Sequence, residues 1–524
     1  MSSRVIAGSL ATLALLCSAM AAGEAASEGT DATYQRLCAQ CHGADRLGGV
    51  GPALIPETLG RLKPEDAHRV ILDGRPASQM PAFAGQIDDA TAIRLVEYVF
   101  APPTEAPVWG MDKIRASHQV LVDPASLPEQ PLHASDPLNL FVVVEVGDHQ
   151  VTILDGDRLE PIHRLPTHTA LHGGPKFSPD ARFVYFASRN GWVSKLDLHS
   201  LKMVAMIRAG INTRNMAVSD DGRYAAVANY LPHTLTILST EDLSPIELIP
   251  VTNAAGNSSR VSAVYSAPPR RSFVAALKDI REVWEITPTG ETNRSKTEKT
   301  PDRGGAETGA PQAAPFAVRR IELQDYLDDF LFDQSYRLLI GAARDGNMGQ
   351  VIDLDLGRRV ADLELDGMPH LSSGITWERE GRTVLATPHL KKAEVSVIDM
   401  ESWKTLKRIE TLGPGFFMRS HENTPYAWVD VYFGPEKEAV HVIDKRTLEI
   451  VETLRPAPGK TAAHVEFDRY GKYALLSISE PAPDGALVIY DSATLKEVKR
   501  LPMNKPSGKY NVHNKITRSE GTSH

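Results

Sequence analysis

Between residues 138 and 510 the chain alternates apolar and polar positions in short runs, broken by turns rich in Asp, Gly and Ser. This is the period-2 pattern of half-buried β-strands. One run recurs together with its turn: "FSPDARFVYFAS" at 177, "VSDDGRYAAVAN" at 218, "FDQSYRLLIGAA" at 332, "WEREGRTVLATP" at 377 and "FDRYGKYALLSI" at 467. The starts lie 41, 114, 45 and 90 residues apart, so each long gap has room for a weaker copy. A second run, strand then turn then return strand, occurs eight times between "VTILDGDRLEPIHRL" and "LVIYDSATLKEVKRL". Eight four-stranded units of roughly 45 residues predict an eight-bladed β-propeller over 138–524. A solenoid of hairpins shows the same pattern, but only a propeller hides its sheet edges by closure.

The pattern fails in two places. Residues 287–315, "TPTGETNRSKTEKTPDRGGAETGAPQAAP", are rich in Gly, Pro, Thr and charge and read as a disordered surface insertion in the fourth blade. Residues 27–105 switch to helical spacing, clearest in "DDATAIRLVEYVF". The expected fold is therefore mainly β with a small all-α domain at its start, and a Pro-rich linker over 106–137.

The helical segment contains "CAQCH", in which Cys38 and Cys41 are spaced to add to the two vinyl groups of one haem while His42 reaches the iron. Met80, in the loop "ASQMPAFAG", is the candidate second axial ligand. A six-coordinate haem c has no open position for substrate and moves electrons one at a time. The segment resembles class I cytochromes c.

Residues 1–26 read as a secretory signal, with cleavage after Ala22 or Ala26, which implies a periplasmic protein. Cys17 lies inside its apolar run but follows Leu16 where a lipoprotein site requires a small residue. No other apolar stretch approaches the roughly 18 to 20 residues of a spanning helix. The composition, 42% hydrophobic and 23% charged with net charge −9, fits a globular protein and disfavours nucleic acid or an anionic membrane surface as partner.

In a propeller the first strand of each blade lines the central channel, so residues just before each repeat converge on one mouth. Reading back gives His172, Arg214, Asp328, His370 and His464, with Arg260 and Arg419 in the weaker repeats. Taken singly, each histidine reads as an ordinary loop or edge residue. Together, imidazoles that bind iron and arginines that pair with carboxylates suit a second tetrapyrrole bearing several carboxylates.

Over nearly its whole length the chain resembles the cytochrome cd1 family, on "CAQCH", "LHGGPKFSPDARFVYFASRNGWVSKLDL", "DGMPHLSSGITW", "GPGFFMRSHENTPYAWVD" and "PSGKYNVHNK". The resemblance implies a propeller that holds haem d1, with His172 as proximal and His370 as distal iron ligand, and His168 as the alternative proximal ligand. The family's nitrite reductases carry a second distal histidine where this chain has Asp328. The "TAAHVEF" segment and the ending "GKYNVHNKITRSEGTSH" resemble instead the family's dehydrogenases of haem d1 maturation. Those enzymes oxidise a propionate of dihydro-haem d1 to an acrylate, which would put His464 and Tyr510 beside the reacting side chain. Arg189, Arg214 and Arg260 are then candidates to hold other carboxylates, although each also reads as a turn arginine. Implied partners are a periplasmic electron acceptor and the cytochrome cd1 nitrite reductase that receives haem d1; a monomer is expected. The competing functions are nitrite reduction to nitric oxide and non-enzymatic carriage of haem d1.

Overall fold

The computed structural model describes residues 29–49, 51–60, 62–74, 80–289, 314–342 and 348–517. Most of the insertion expected at 287–315 lies outside them, between strands Glu282–Thr287 and Ala317–Glu322.

Eight antiparallel sheets follow one another around an axis. Their inner strands are Lys176–Phe177, Asn212–Val218, Val261–Ala267, Asp329–Phe332, Ile375–Arg379, Met418–Ser420, Ala462–Phe467 and Pro506–Asn511. Burial falls from the axis outward, since Ala462–Phe467 is buried throughout whereas the outer strand Thr405–Glu410 alternates with solvent. The apolar faces of neighbouring blades interlock as the core, with Trp284, Trp377 and Trp428 fully buried. The eighth inner strand comes from the far end of the chain. Pro506–Asn511 pairs with Leu140–Glu145, matching Tyr510 to Val142, so the last strand completes the blade that the first one begins. Closure of this kind ties the two ends of the chain into one blade, leaves each sheet only a short outer edge, and carries Tyr510 to the axis.

The repeat signatures have a local physical basis. At the end of the third strand an aspartate carboxylate accepts backbone N–H groups of the following turn, as Asp155 does from Asp157 and Arg158, Asp399 from Glu401 and Ser402, and Asp444 from Arg446 and Thr447. Each turn ends on a left-handed apolar residue, Leu159, Trp403 or Leu448. The arginine of the "D-x-R" and "E-G-R" turns grips the same aspartate from the second strand: Arg182 Nε lies 3.0 Å from Asp197 and Arg382 Nη1 2.9 Å from Asp399.

The N-terminal helices Thr30–Leu37, Ala39–His42, Pro64–Asp73 and Asp89–Phe100 pack around Tyr34, Leu59, Leu95 and Val99. Asp88 caps the last of these, accepting from Thr91 N at 2.8 Å. The segment expected as a linker lies along the propeller. Gln119–Val120 adds a fifth strand to one blade, and the Trp109 indole donates to the Arg208 carbonyl at 3.0 Å. Arg208 is buried with its guanidinium on the carbonyls of Leu47, Gly48 and Asn190 and stacked over Trp109, while Ile211 joins Leu47, Ala53 and Ile55 in one apolar cluster. The loop that follows the "CAQCH" motif is thereby fastened to the propeller.

Candidate active site at the propeller axis

In the small domain Cys38 and Cys41 are unpaired thiols, Cys38 at the junction of the helices Thr30–Leu37 and Ala39–His42 and Cys41 within the second. Burial pushes the Cys38 thiol up to about 11. The buried His42 ring donates from Nδ1 to the Pro52 carbonyl at 2.8 Å. A carbonyl on Nδ1 fixes the tautomer and leaves Nε2 to a metal, the usual outer-shell arrangement of a ligating histidine. Gly51 lies against that ring, where a Cβ would stand 2.7 Å from Cε1, so only glycine fits under the imidazole. The donor set therefore fits a covalent haem c. Met80 follows residues 75–79, which lie outside those described.

Around the propeller axis the same carbonyl anchor recurs. The His172 Nδ1–H donates to the Arg214 carbonyl at 2.7 Å, and its Nε2 accepts from Arg189 Nη2 and Arg214 Nη1, both at 2.7 Å. His172 sits in a loop opened by Gly173 and Gly174, both left-handed. A Cβ on Gly174 would come within 3.0 Å of the Tyr510 ring, so this glycine is what lets the His172 loop and the closing strand share one wall. The His370 Nδ1–H donates to the Phe416 carbonyl at 2.5 Å, and the Ser372 hydroxyl donates to Nε2 at 3.2 Å. His168, the alternative proximal ligand, is stacked on Trp192 at 4.5 Å with an interplanar angle of 10°. Burial and the nearby Arg208 charge push it down to about 4.

His464 is different. It is 1% exposed, and neither ring nitrogen has a hydrogen-bond partner among the described residues. Its φ is +54°, the one positive value inside a strand among those residues, at a bulge between Ala463 and Val465. Left-handed backbone at a non-glycine residue costs about 1–3 kcal/mol and persists where surrounding contacts over-determine it. Burial, then the charges of Lys509, Arg419 and Lys515, hold its pKa well below 6.5. The imidazole is thus neutral, with Phe417 at 4.6 Å on one side and the Tyr510 ring at 5.1 Å on the other. Burial pushes the Tyr510 phenol up to about 12, so it keeps its proton.

Several buried cations gather here. Lys176, pushed down to about 8, and Lys515, pushed down to about 7, both lie near Arg419, which is 3% exposed. Two buried carboxylates stand among them, Glu466, 4.0 Å from Arg419 and 3.9 Å from Lys515, and Asp430 beside His464. Such a cation-rich wall suits a ligand with several carboxylates.

The register named His172, Arg214 and His464, and the resemblance named Arg189 and Tyr510; the structure places Arg189 and Arg214 on His172, and Tyr510 beside both His464 and the His172 loop. It places Arg260 in a bidentate pair with Asp279, with Nε 2.9 Å from Oδ2, so that guanidinium is already engaged. Asp328 is buried and ion-paired with Lys278 at 2.6 Å. Sequence reasoning missed Asp430 and Lys509, both fully buried beside His464. A charged residue closing the apolar run "YAWVD", and a lysine inside "SGKYNV", were the available signals.

Comparison with known proteins agrees with this geometry. The cytochrome D1 heme domain matches residues 135–304 and 310–515, and the cytochrome C oxidase, cbb3-type, subunit III family matches residues 25–99. The chain is 57% identical over 514 residues to the dihydro-heme d1 dehydrogenase of Pseudomonas aeruginosa, across 98% of this chain and 99% of that one. It is 30% identical over 400 residues to Protein NirF of the same organism, across 74% and 93%. The solved structure of dihydro-heme d1 dehydrogenase NirN in complex with DHE superposes with a TM-score of 0.86 at 56% identity, covering 93% of this chain and all of that one. A class I type helical domain bearing "CAQCH", joined to an eight-bladed propeller whose axis gathers histidines and arginines, belongs to the cytochrome D1 heme domain family.

Proposed function

We propose that this chain is a dihydro-haem d1 dehydrogenase, an oxidoreductase that converts a propionate side chain of its tetrapyrrole substrate to an acrylate. The observation that carries the reading is His464, a neutral, buried imidazole with neither nitrogen partnered among the described residues, set 5.1 Å from the Tyr510 ring at the axis. The relative that matches over the full length, and the matching structure with DHE bound, support it.

Turning a saturated side chain into an alkene removes two protons and two electrons. His464, which its depressed pKa leaves unprotonated at neutral pH, takes one proton, and the second is released to water as the two electrons leave one at a time. Tyr510, protonated up to about 12, hydrogen-bonds the propionate carboxylate and orients it. His172 and His370, each with Nδ1 held by a carbonyl, would hold the substrate iron through Nε2, with Arg189 and Arg214 exchanging His172 Nε2 for the substrate's other carboxylates. Cys38, Cys41, His42 and Met80 would hold a covalent haem c, which would supply a one-electron acceptor. The electrons then pass to an external periplasmic acceptor, and the product passes to the cytochrome cd1 nitrite reductase. A periplasmic location suits the residues 1–26 that read as a signal, and no described helix is long and apolar enough to cross a membrane. Nitrite reduction is disfavoured because Asp328, in place of a second distal histidine, is spent on Lys278.

The test is anaerobic incubation of the purified protein with dihydro-haem d1 and an electron acceptor, followed by mass analysis of the tetrapyrrole. Loss of two hydrogens is expected. An unchanged mass, or nitric oxide released from nitrite at a reductase's rate, would refute the assignment. Met80→Ala is expected to keep the covalent haem while altering its absorption and slowing its re-oxidation; an unchanged c-haem spectrum would remove Met80 as a ligand.

A further inference from the structure

The bulge that turns His464 to a left-handed conformation takes its N–H and C=O out of the strand ladder. Both groups are buried, and a buried backbone group without a partner is costly. Two buried side chains from other strands take over. The His464 N–H donates to Asp430 Oδ2 at 3.0 Å, and the Lys509 ammonium donates to the His464 carbonyl and, at 2.7 Å, to the Ser477 hydroxyl. Asp430 ends the strand Tyr426–Asp430 of the preceding blade, and Lys509 lies on the closing strand Pro506–Asn511. The other oxygen of Asp430 accepts from Phe416 N at 2.8 Å and Phe417 N at 3.0 Å. Phe416 is the residue whose carbonyl anchors His370, and its ring lies 4.3 Å from that imidazole. One carboxylate, 0% exposed, is therefore shared between the loop that orients His370 and the bulge that orients His464.

We propose that Asp430 is a positioning residue that sets two histidines at once, the distal ligand through Phe416 and the proton acceptor through the bulge, with Lys509 holding the second alone. The arrangement fixes the spacing between the centre of the macrocycle and the side chain at its edge, which a base must match to within about 1 Å to be effective. An amide cannot replace the carboxylate. Asn at 430 would turn an NH2 group toward one of the three backbone N–H donors, leaving it facing a like donor.

This inference rests on the reading that His464 takes a proton from the substrate, and its test separates the two. Wild-type protein, Asp430→Asn and Lys509→Met are compared in three measurements: hydrogen exchange of the ligand-free protein in segments 416–418 and 462–467, the absorption and EPR signature of axial ligation with dihydro-haem d1 bound, and the rate of hydrogen loss from the bound substrate. In Asp430→Asn, exchange should quicken in both segments, the distal-ligand signature should change, and the rate should fall about 10- to 100-fold, the usual effect of removing an outer-shell partner. In Lys509→Met, exchange should quicken in 462–467 only, and the rate should fall with the ligation signature intact. Unchanged exchange and signature in Asp430→Asn overturn the shared role; wild-type rate in Lys509→Met overturns the clamp even if Asp430→Asn does not fold. If wild type itself removes no hydrogen while the exchange pattern holds, the functional reading fails and the structural coupling stands.

Discussion

His42, His172 and His370 each hold Nδ1 on a backbone carbonyl, at 2.8, 2.7 and 2.5 Å, whereas His464 holds nothing on either nitrogen. The first three rings are fixed with Nδ1 as donor and Nε2 as acceptor, and in His172 and His370 that Nε2 accepts from Arg189, Arg214 and Ser372; the fourth is fixed through its backbone and, among the described residues, has a hydrogen-bond partner at neither ring nitrogen. His389 shows that a carbonyl anchor alone is not enough, since its Nδ1 faces the Asp366 carbonyl and its Nε2 meets Ser396 at 2.9 Å, yet the ring is 0% exposed and packed away from any ligand. What separates these histidines is what each nitrogen faces: His172 Nε2 meets arginine guanidinium groups that suit a carboxylate-bearing ligand, His389 Nε2 meets a buried serine, and the His464 ring meets only aromatic rings among the described residues.

The largest effect should come from exchanging the two kinds of histidine. His464→Ala is expected to keep substrate affinity within a few fold and to lose about 10²- to 10⁴-fold in the rate of hydrogen removal, the range for a general base. His172→Ala should do the reverse at first sight, losing the axial-ligand signature and substrate affinity before rate. Absorbance titration and product mass read both quantities on one sample, and wild-type turnover in His464→Ala would end its assignment as base. Tyr510→Phe is milder, because the ring still packs against Gly174 and Gly508. Removing only the hydroxyl should cost about 10²-fold in rate, and a loss confined to affinity would make Tyr510 a binding group alone.

Next in size is the carboxylate clamp. Arg214→Ala removes a charge-assisted hydrogen bond of at least about 1.5 kcal/mol, or roughly tenfold in substrate affinity. Arg260→Ala should do little to affinity by comparison, because its guanidinium is committed to Asp279. Equal losses in the two variants, measured by titration with dihydro-haem d1, would show that the Arg260–Asp279 pair opens for the ligand.

This contrast also marks where sequence reasoning reaches its limit. The "CAQCH" spacing, the repeated turn and the alternation are local, and each has a local cause, such as Asp399 accepting from Glu401 and Ser402. From them the propeller, the haem segment and the ring of axial residues are legible. The left-handed His464 is not, because the groups that stabilise it stand 34 and 45 residues away in the chain. The engagement of Arg260 by Asp279 and the grip of Arg208 on the Leu47 carbonyl are equally invisible, since nothing in "NSSRVSAV" or "MVAMIRAG" specifies a partner. A repeat fixes which positions face the axis, but not what each finds there.

The smallest expected effect is on stability and has a definite sign. His464 is neutral in the folded protein because burial and the cations around it hold its pKa well below 6.5, whereas in the unfolded chain it titrates near 6.5. As pH falls below 6.5 the unfolded state binds a proton that the folded state refuses. Stability therefore drops by up to about 1.4 kcal/mol per pH unit from this one group until the folded pKa is reached. His168 and His441, both held down to about 4, add the same slope independently. His464→Phe, which keeps an aromatic ring between Phe417 and Tyr510, should remove one such increment, so that its Tm falls less steeply than wild type between pH 6.5 and 5. His172→Phe is the matched control in which a carbonyl-anchored ring is replaced instead. Parallel Tm profiles for wild type and His464→Phe would mean that the folded state accommodates a charged imidazole at 464, and the neutral-base reading would lose its electrostatic ground.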